Sequence, residues 1–458
     1  MRALLLAAAL AASLAACSAR VAPAPAADPV PLPPPEKVVV QKKPETRKES
    51  ALLRRIAQVL DQTAALRELP AKRPVVGAVL SRPDLLAQLK AHVLKEVPLE
   101  AIVREGNAMK LAGVIPKDID YQTIMFRLLE EQLAGFYSPE DETMSLAGDL
   151  DEEMADATLL HELVHALQDQ YFDLKPGAKY KAGQSDRSFA RSALAEGDAT
   201  SAMTDFMTGH VGGKRGVPTE QVENTITLAM QSSMPDFAPV ILQKSLISPY
   251  VNGLRFVNAL RRRGGWQAVD ATWKNPPVTS EQILHFEKYL AHEPELAVAP
   301  PAPASVGPGY VLDDADTSGE EGMRLMFESW LGHKKGTELA RGWGGDRSAM
   351  VHHESSGAIA IVEHLRYDAD ARAQAVLLAR AVGKAWGVTE TRSGKEPGSD
   401  LVAFCKERPD LGPAAVVTKR TGAPGDVVFV FGPTKADGWV SQGTCAAALA
   451  TARLELDR

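Results

Sequence analysis

Leu159-Leu160-His161-Glu162-Leu163-Val164-His165-Ala166-Leu167 lies in the middle of residues 154–171, a stretch with helical periodicity. Two histidines four positions apart sit one turn apart on the same helical face, near enough to share a metal ion. Glu162 lies about 100° further round and can reach a water on that metal without ligating it. Leu159, Leu160, Leu163, Val164 and Leu167 make the helix apolar round most of its circumference, so the sequence predicts a buried helix. Two buried imidazoles and a buried carboxylate with no partner would cost several kcal/mol, and a cation removes that cost. A solvent-facing helix with chance spacing does not fit these neighbours.

A zinc site of this kind needs a third protein ligand and one position left for solvent. Three and six residues after His165 stand Gln168 and Tyr171, not the Gly and His of the metzincin pattern. The remaining source is a carboxylate on the next helix, expected over 186–207 and reading Ala193-Leu194-Ala195-Glu196-Gly197-Asp198-Ala199-Thr200. The small residues beside Glu196 let two helix backbones approach closely; an ordinary surface acid is the other reading. Upstream, apolar spacing predicts helices over 52–69, 85–97 and 119–133. A hairpin then pairs 135–137 with 143–146 across Ser138-Pro139-Glu140-Asp141.

His161-Glu162-x-x-His165 followed by Glu196-Gly197-x-Ala199 resembles the gluzincin zinc metallopeptidases, the group that contains thermolysin and aminopeptidase N. The match covers about 135–202. The resemblance implies one Zn(2+) held by His161, His165 and Glu196, with Glu162 as general base and a peptide or protein substrate along the hairpin edge. Two departures stand out. The interval from His165 to Glu196 is longer than in either relative, with extra chain around 173–186. Thr200 stands where thermolysin-like enzymes carry an Asp that orients a histidine, and Asp198 is the candidate to replace it. Tyr250, in Ser248-Pro249-Tyr250, is a candidate donor to the oxyanion, and a buried core phenol is the competing reading. His285 is a second candidate, against a plain packing or surface role.

The remainder sets the context. The chain has 458 residues with 51 Lys plus Arg against 58 Asp plus Glu, a net charge of −7, so no basic nucleic-acid footprint exists at whole-chain level. Three cysteines exclude a multi-cysteine zinc cluster. Residues 1–16 read as a secretory signal, too short to span a bilayer, which takes about 20 apolar residues. Leu14-Ala15-Ala16-Cys17 resembles the bacterial lipobox, which implies lipidation at Cys17 and an extracytoplasmic, membrane-anchored protein. In a Gram-negative host Ser18 would direct it to the outer membrane, facing the periplasm. Residues 17–50, rich in Pro, Ala and Lys, read as an extended tether.

The expected architecture is a mostly α zincin-like catalytic domain over 51–299 with a small β-hairpin or sheet, a linker over 300–308, and a C-terminal α+β domain over 309–458. In the latter, Ser318-Gly319-Glu320-Glu321 reads as a capping box. Hairpin strands over 348–354 and 358–364 carry His352, His353 and His364, which read as incidental rather than a second metal site. Once Cys17 is lipidated, Cys405 and Cys445 are left either as a disulfide or as two buried thiols. The expected function is zinc-dependent peptide hydrolysis by a lipid-anchored envelope enzyme. The alternative is a non-catalytic, zinc-stabilised lipoprotein that binds an envelope partner.

Overall fold

The computed structural model describes residues 38–40, 47–149, 152–209, 216–391, 400–421 and 425–458. The signal segment, Cys17 and most of the tether lie outside these residues. Two stretches of the expected tether are structured. Val38–Val40 forms strand β1, and helix α1 begins at Arg47 and runs to Arg67. The β-branched triplet explains the first, since it pairs in parallel with Val75–Gly77 of β2 (Val75–Leu80).

After β2 come α2 (Arg82–Glu96), α3 (Leu99–Ala112) and α4 (Tyr121–Gln132). Strands β3 (Gly135–Ser138) and β4 (Thr143–Ala147) form the expected hairpin. The small sheet has the order β1-β2-β4-β3, so β3 is its antiparallel edge. Against it packs α5 (Glu152–Phe172); beyond the short α6 (Lys175–Ala178), α7 (Ser185–Thr208) packs on α5 in turn. Helices α8 (Glu220–Ser232), α9 (Val240–Lys274), α10 (Ser280–Leu284) and α11 (Phe286–Ala291) complete this half. Leu159, Leu160, Leu163, Val164 and Leu167 of α5 are all fully buried in its core, as an all-round apolar helix requires.

From α12 (Pro303–Val306) onward the chain builds a seven-stranded sheet ordered β5-β6-β7-β10-β9-β8, with β11 paired to β10. Its strands are Tyr310–Asp316, Trp343–His353, Ala358–Tyr367, Leu401–Lys406, Ala414–Lys419, Gly425–Lys435 and Val440–Ser441 in chain order. Helices α13 (Gly319–Leu331), α14 (His333–Ala340) and α15 (Gln374–Ala385) cover one face, and α16 (Cys445–Leu456) the other. Both faces are therefore apolar. In β10, Val427, Phe429 and Phe431 enter one core while Val428 and Val430 enter the opposite one, following the two-residue period.

The two halves share a long seam. Leu111 of α3 belongs to the core of the second half, and Leu325 of α13 to that of the first. Trp330 donates to the Ala112 carbonyl at 3.1 Å, and Arg408 to that of Leu111 at 2.7 Å. At Gly319, with φ +71°, a Cβ would fall 1.7 Å from Asp186 Oδ1, so only glycine fits. The expected capping box is not made. Ser318 is in the right-handed helical region with no side-chain cap bond, and the carboxylate of Asp346 accepts from the N–H groups of Ser318 and Gly319 instead. A buried acid from β6 reaches those orphan donors more directly than the local serine can.

Candidate metal centre

Helices α5 and α7 place His161, His165 and Glu196 together. His161 Nε2 lies 3.0 Å and His165 Nε2 3.5 Å from Glu196 Oε2, and the two Nε2 atoms are 3.2 Å apart. Exposure is 3% for His161, 1% for His165 and 0% for Glu196. The close packing beside Glu196 differs in one respect from the expectation drawn from its small neighbours. Gly197 faces α9, not the histidine helix: a Cβ on it would lie 2.1 Å from the Gly253 carbonyl, and one on Gly253 would lie 1.9 Å from Ala193 O. This backbone-to-backbone crossing brings Tyr250, one turn before Gly253, to the centre. Its ring stacks on His161 with centroids 5.9 Å apart, and its hydroxyl hydrogen-bonds Glu196.

A hydrogen-bond relay fixes His165. Gln168 Nε2 donates to Ala195 O at 3.0 Å, which leaves Gln168 Oε1 to accept from His165 Nδ1 at 2.8 Å. In neutral His165 the lone pair then sits on Nε2, pointing at His161 and Glu196, which is the tautomer a metal ligand needs. The sequence reading missed Gln168 in this role, although its spacing of three from His165 puts it on the same helical face. Glu162 turns the other way: its Oε2 accepts the Tyr137 N–H of edge strand β3 at 3.0 Å. The Glu162 carboxylate is thus tied to the hairpin and stands beside the three converging side chains without joining them.

Among the protein groups alone the charges are strongly coupled. Burial pushes the Glu162 carboxyl up to about 8, despite the pull of His165. Burial also disfavours the charged form of His165, but the carboxylates of Glu196 and Glu162 outweigh it and hold its pKa up at about 9. Glu196 goes the other way: burial would raise it, yet the two histidines keep it below the ordinary glutamate range. Three lone-pair atoms converge, and the buried Glu196 Oε1 has no hydrogen-bond partner. Two imidazoles and one carboxylate, with an oxygen of that carboxylate orphaned, make a donor set that fits a divalent zinc ion. A cavity of about 20 Å³, room for one water, adjoins Glu196 and is walled by Leu174, Gly177, Arg191, Ser192, Ala195 and Trp273. Part of that wall comes from the extra chain over 173–186.

Asp198 does not orient a histidine. Both of its oxygens are taken by Arg67, at 2.5 and 3.1 Å, and Trp273 Nε1 donates to it at 3.1 Å. The bidentate guanidinium of α1, a strong partner for a buried carboxylate, claims it. His285 pairs with Glu320 at 2.9 Å, on the seam rather than at the centre. His352 bonds Asp313 and His364 faces Asp426, so the strand histidines do not converge. A second acidic group, Glu281, Glu293 and Asp368, already holds the Lys288 ammonium at 2.6 to 2.7 Å from each. Cys405 of β8 and Cys445 of α16 are joined in a disulfide.

Residues 310–439 match a family described as a domain of unknown function, DUF8575; this stretch lies wholly in the second half and excludes every residue of the candidate metal centre. No curated protein and no solved structure matches the chain.

Proposed function

We propose that the chain is a zinc metallopeptidase of gluzincin type, with His161, His165 and Glu196 as ligands of one Zn(2+). The observation that carries this reading is the convergence of one ligand atom from each of these residues, all within 4.8 Å of one another, with Glu162 beside the set and outside it. A structural zinc site has no use for that extra carboxylate. When bound, the ion supplies Lewis acidity and lowers the pKa of water to about 7. Glu162 then takes the proton of the attacking water and returns it to the leaving amine. The Tyr137 N–H holds Glu162 in place for that exchange. The Tyr250 hydroxyl, next to Glu196, is the side chain placed to donate to the developing oxyanion.

The protein would act on peptides or proteins outside the cytoplasm, held to the membrane through lipid on Cys17 and facing the periplasm from the outer membrane in a Gram-negative host. Among the described residues no helix is long and apolar enough to cross a membrane. The near-complete burial of all four centre residues favours a second reading, a zinc-stabilised lipoprotein that binds an envelope partner. Glu162→Gln separates the two. The first reading expects the variant to keep its zinc while cleavage of a broad peptide library falls by about 10²–10⁴-fold. Zinc-loaded unmodified protein that cleaves nothing in the library supports the second.

A further inference from the structure

His161, Glu162, His165, Glu196 and Tyr250 are each 3% exposed or less, so a peptide has no way to them while the walls stay as they are. Cleavage requires that part of the wall move. The extra chain over 173–184, between α5 and α7, is the part built to do so. Its Leu174 and Gly177 wall the cavity of about 20 Å³ that touches Glu196. Of the side chains described over 173–184, Leu174 alone is buried. Both ends lie in the left-handed region, Asp173 with φ +53° and Gly183 with φ +76°. Asp173 is relieved by leaving that conformation and Gly183 is indifferent to it, so both ends can turn.

The segment is held down by few contacts, and several of them face water. Lys175 Nζ lies 3.0 Å from Glu142 Oε1 in the hairpin turn, with 43% and 39% of the two side chains exposed. Lys179 attracts the carboxylates of Glu96, at the end of α2, and Glu140. Exposed pairs of this kind are weak and screened by salt. Gly177 rests on Arg191, the Tyr180 hydroxyl meets Arg104, and the Tyr180 N–H donates to Glu96 O at 3.3 Å. The Leu174 N–H donates to Asp169 Oδ1 at 3.0 Å. Asp169 also accepts the Tyr137 hydroxyl at 2.9 Å, so one carboxylate joins the segment to the residue whose N–H holds Glu162. The seam is the other wall that could part, but buried contacts close it, among them the Gly319–Asp186 approach and the Glu321 N–H donated to Ser280 Oγ at 3.1 Å. Segments with little buried apolar surface open far more readily than such a core.

We propose that residues 173–184 are a strap that closes over the metal centre and swings away on Asp173 and Gly183 to admit the peptide, latched by Lys175 on Glu142 and by Lys179 on Glu96 and Glu140. Opening withdraws Leu174 from the space beside Glu196. Closing returns the Leu174 N–H to Asp169, and with it the support of Tyr137 and Glu162. The strap rests on the metallopeptidase reading and adds a gate to it.

Zinc itself is the probe, on the full chain. Stopped-flow mixing of the zinc-loaded protein with excess pyridylazoresorcinol reads release, and mixing of the metal-free protein with zinc reads uptake. A gate slows both directions alike, whereas a residue that supports the ligands changes the affinity. Lys175→Glu combined with Lys179→Glu turns each latch into a repulsion at the surface. The expected result is release and uptake both faster by about tenfold or more, with zinc affinity within about threefold of the unmodified chain. Leu174→Gly shifts both rates the same way; the lysine variant decides if circular dichroism shows Leu174→Gly unfolded. Unchanged rates in the lysine variant, or a fall in affinity as large as the rise in release, overturns the strap and leaves the metal centre standing. Unmodified protein that takes up no zinc overturns the metallopeptidase reading and the strap with it.

Discussion

Replacing Gly253 with alanine tests whether the crossing of α7 and α9 builds the centre. The new Cβ would lie 1.9 Å from Ala193 O, while ordinary contact begins at 3.4 Å, so the crossing must open by about 1.5 Å. A buried backbone carbonyl cannot swing aside as a side chain would. Overpacking of a core costs up to about 3 kcal/mol, against roughly 1 kcal/mol gained from the better helix propensity of alanine. The expected net loss is about 2 kcal/mol. Such an opening also separates Glu196 and Tyr250 from the histidines on α5. Metal sites tolerate about 0.2 Å of misplacement, so zinc affinity should fall by at least about tenfold. Urea unfolding of the metal-free protein reads the first effect and competition with a chelating zinc indicator reads the second. A Gly253→Ala protein with unchanged midpoint and unchanged zinc affinity would refute the reasoning, because it would mean the two backbones are not in contact.

Two other outcomes follow from the relay and from a buried acid on the seam. Gln168→Ala leaves His165 Nδ1 without its acceptor; the expected result is a fold close to that of the unmodified protein and zinc affinity lower by about 10–100-fold, read by the same competition titration. Burial pushes the Asp186 carboxyl up to about 8, well above its unfolded value of about 3.9. The folded state thus holds that proton more tightly, so the stability it contributes is full below about pH 4, declines as pH rises, and is gone above about pH 8. Asp186→Asn keeps an acceptor for the Ser280 N–H and removes the titration. Its advantage over the unmodified protein in urea midpoint should therefore grow from about pH 5 to about pH 8.5. An advantage that shrinks over that interval contradicts the sign.

The elements that carry the centre were legible because their signals are local. The run round His161 has helical spacing, and α5 and α7 lie within two residues of the expected spans at each end. The hairpin beside them was marked by its turn residues, and Glu196 by its place among small neighbours. What escaped depended on partners far away in the chain. Strand β2 pairs in parallel with β1 and β4, which no turn signal announces. Gly197 was legible as a close-contact residue, but Gly253, 56 positions on, decides which helix it meets. Asp198 reads locally as support for a histidine, but Arg67, from the first helix, holds it. Helix α3 was a different kind of miss: Ala101, Ile102 and Met109 lie at helical spacing between Pro98 and Gly113, and the pattern was there to be read.

Zinc stoichiometry of the purified soluble chain, measured beside His165→Ala and Glu196→Ala, bears most directly on the central claim. The account predicts one zinc per unmodified chain and a loss of tight binding in both variants while their circular dichroism stays that of a folded protein. Folded Glu196→Ala protein that holds zinc as tightly as the unmodified chain would contradict it.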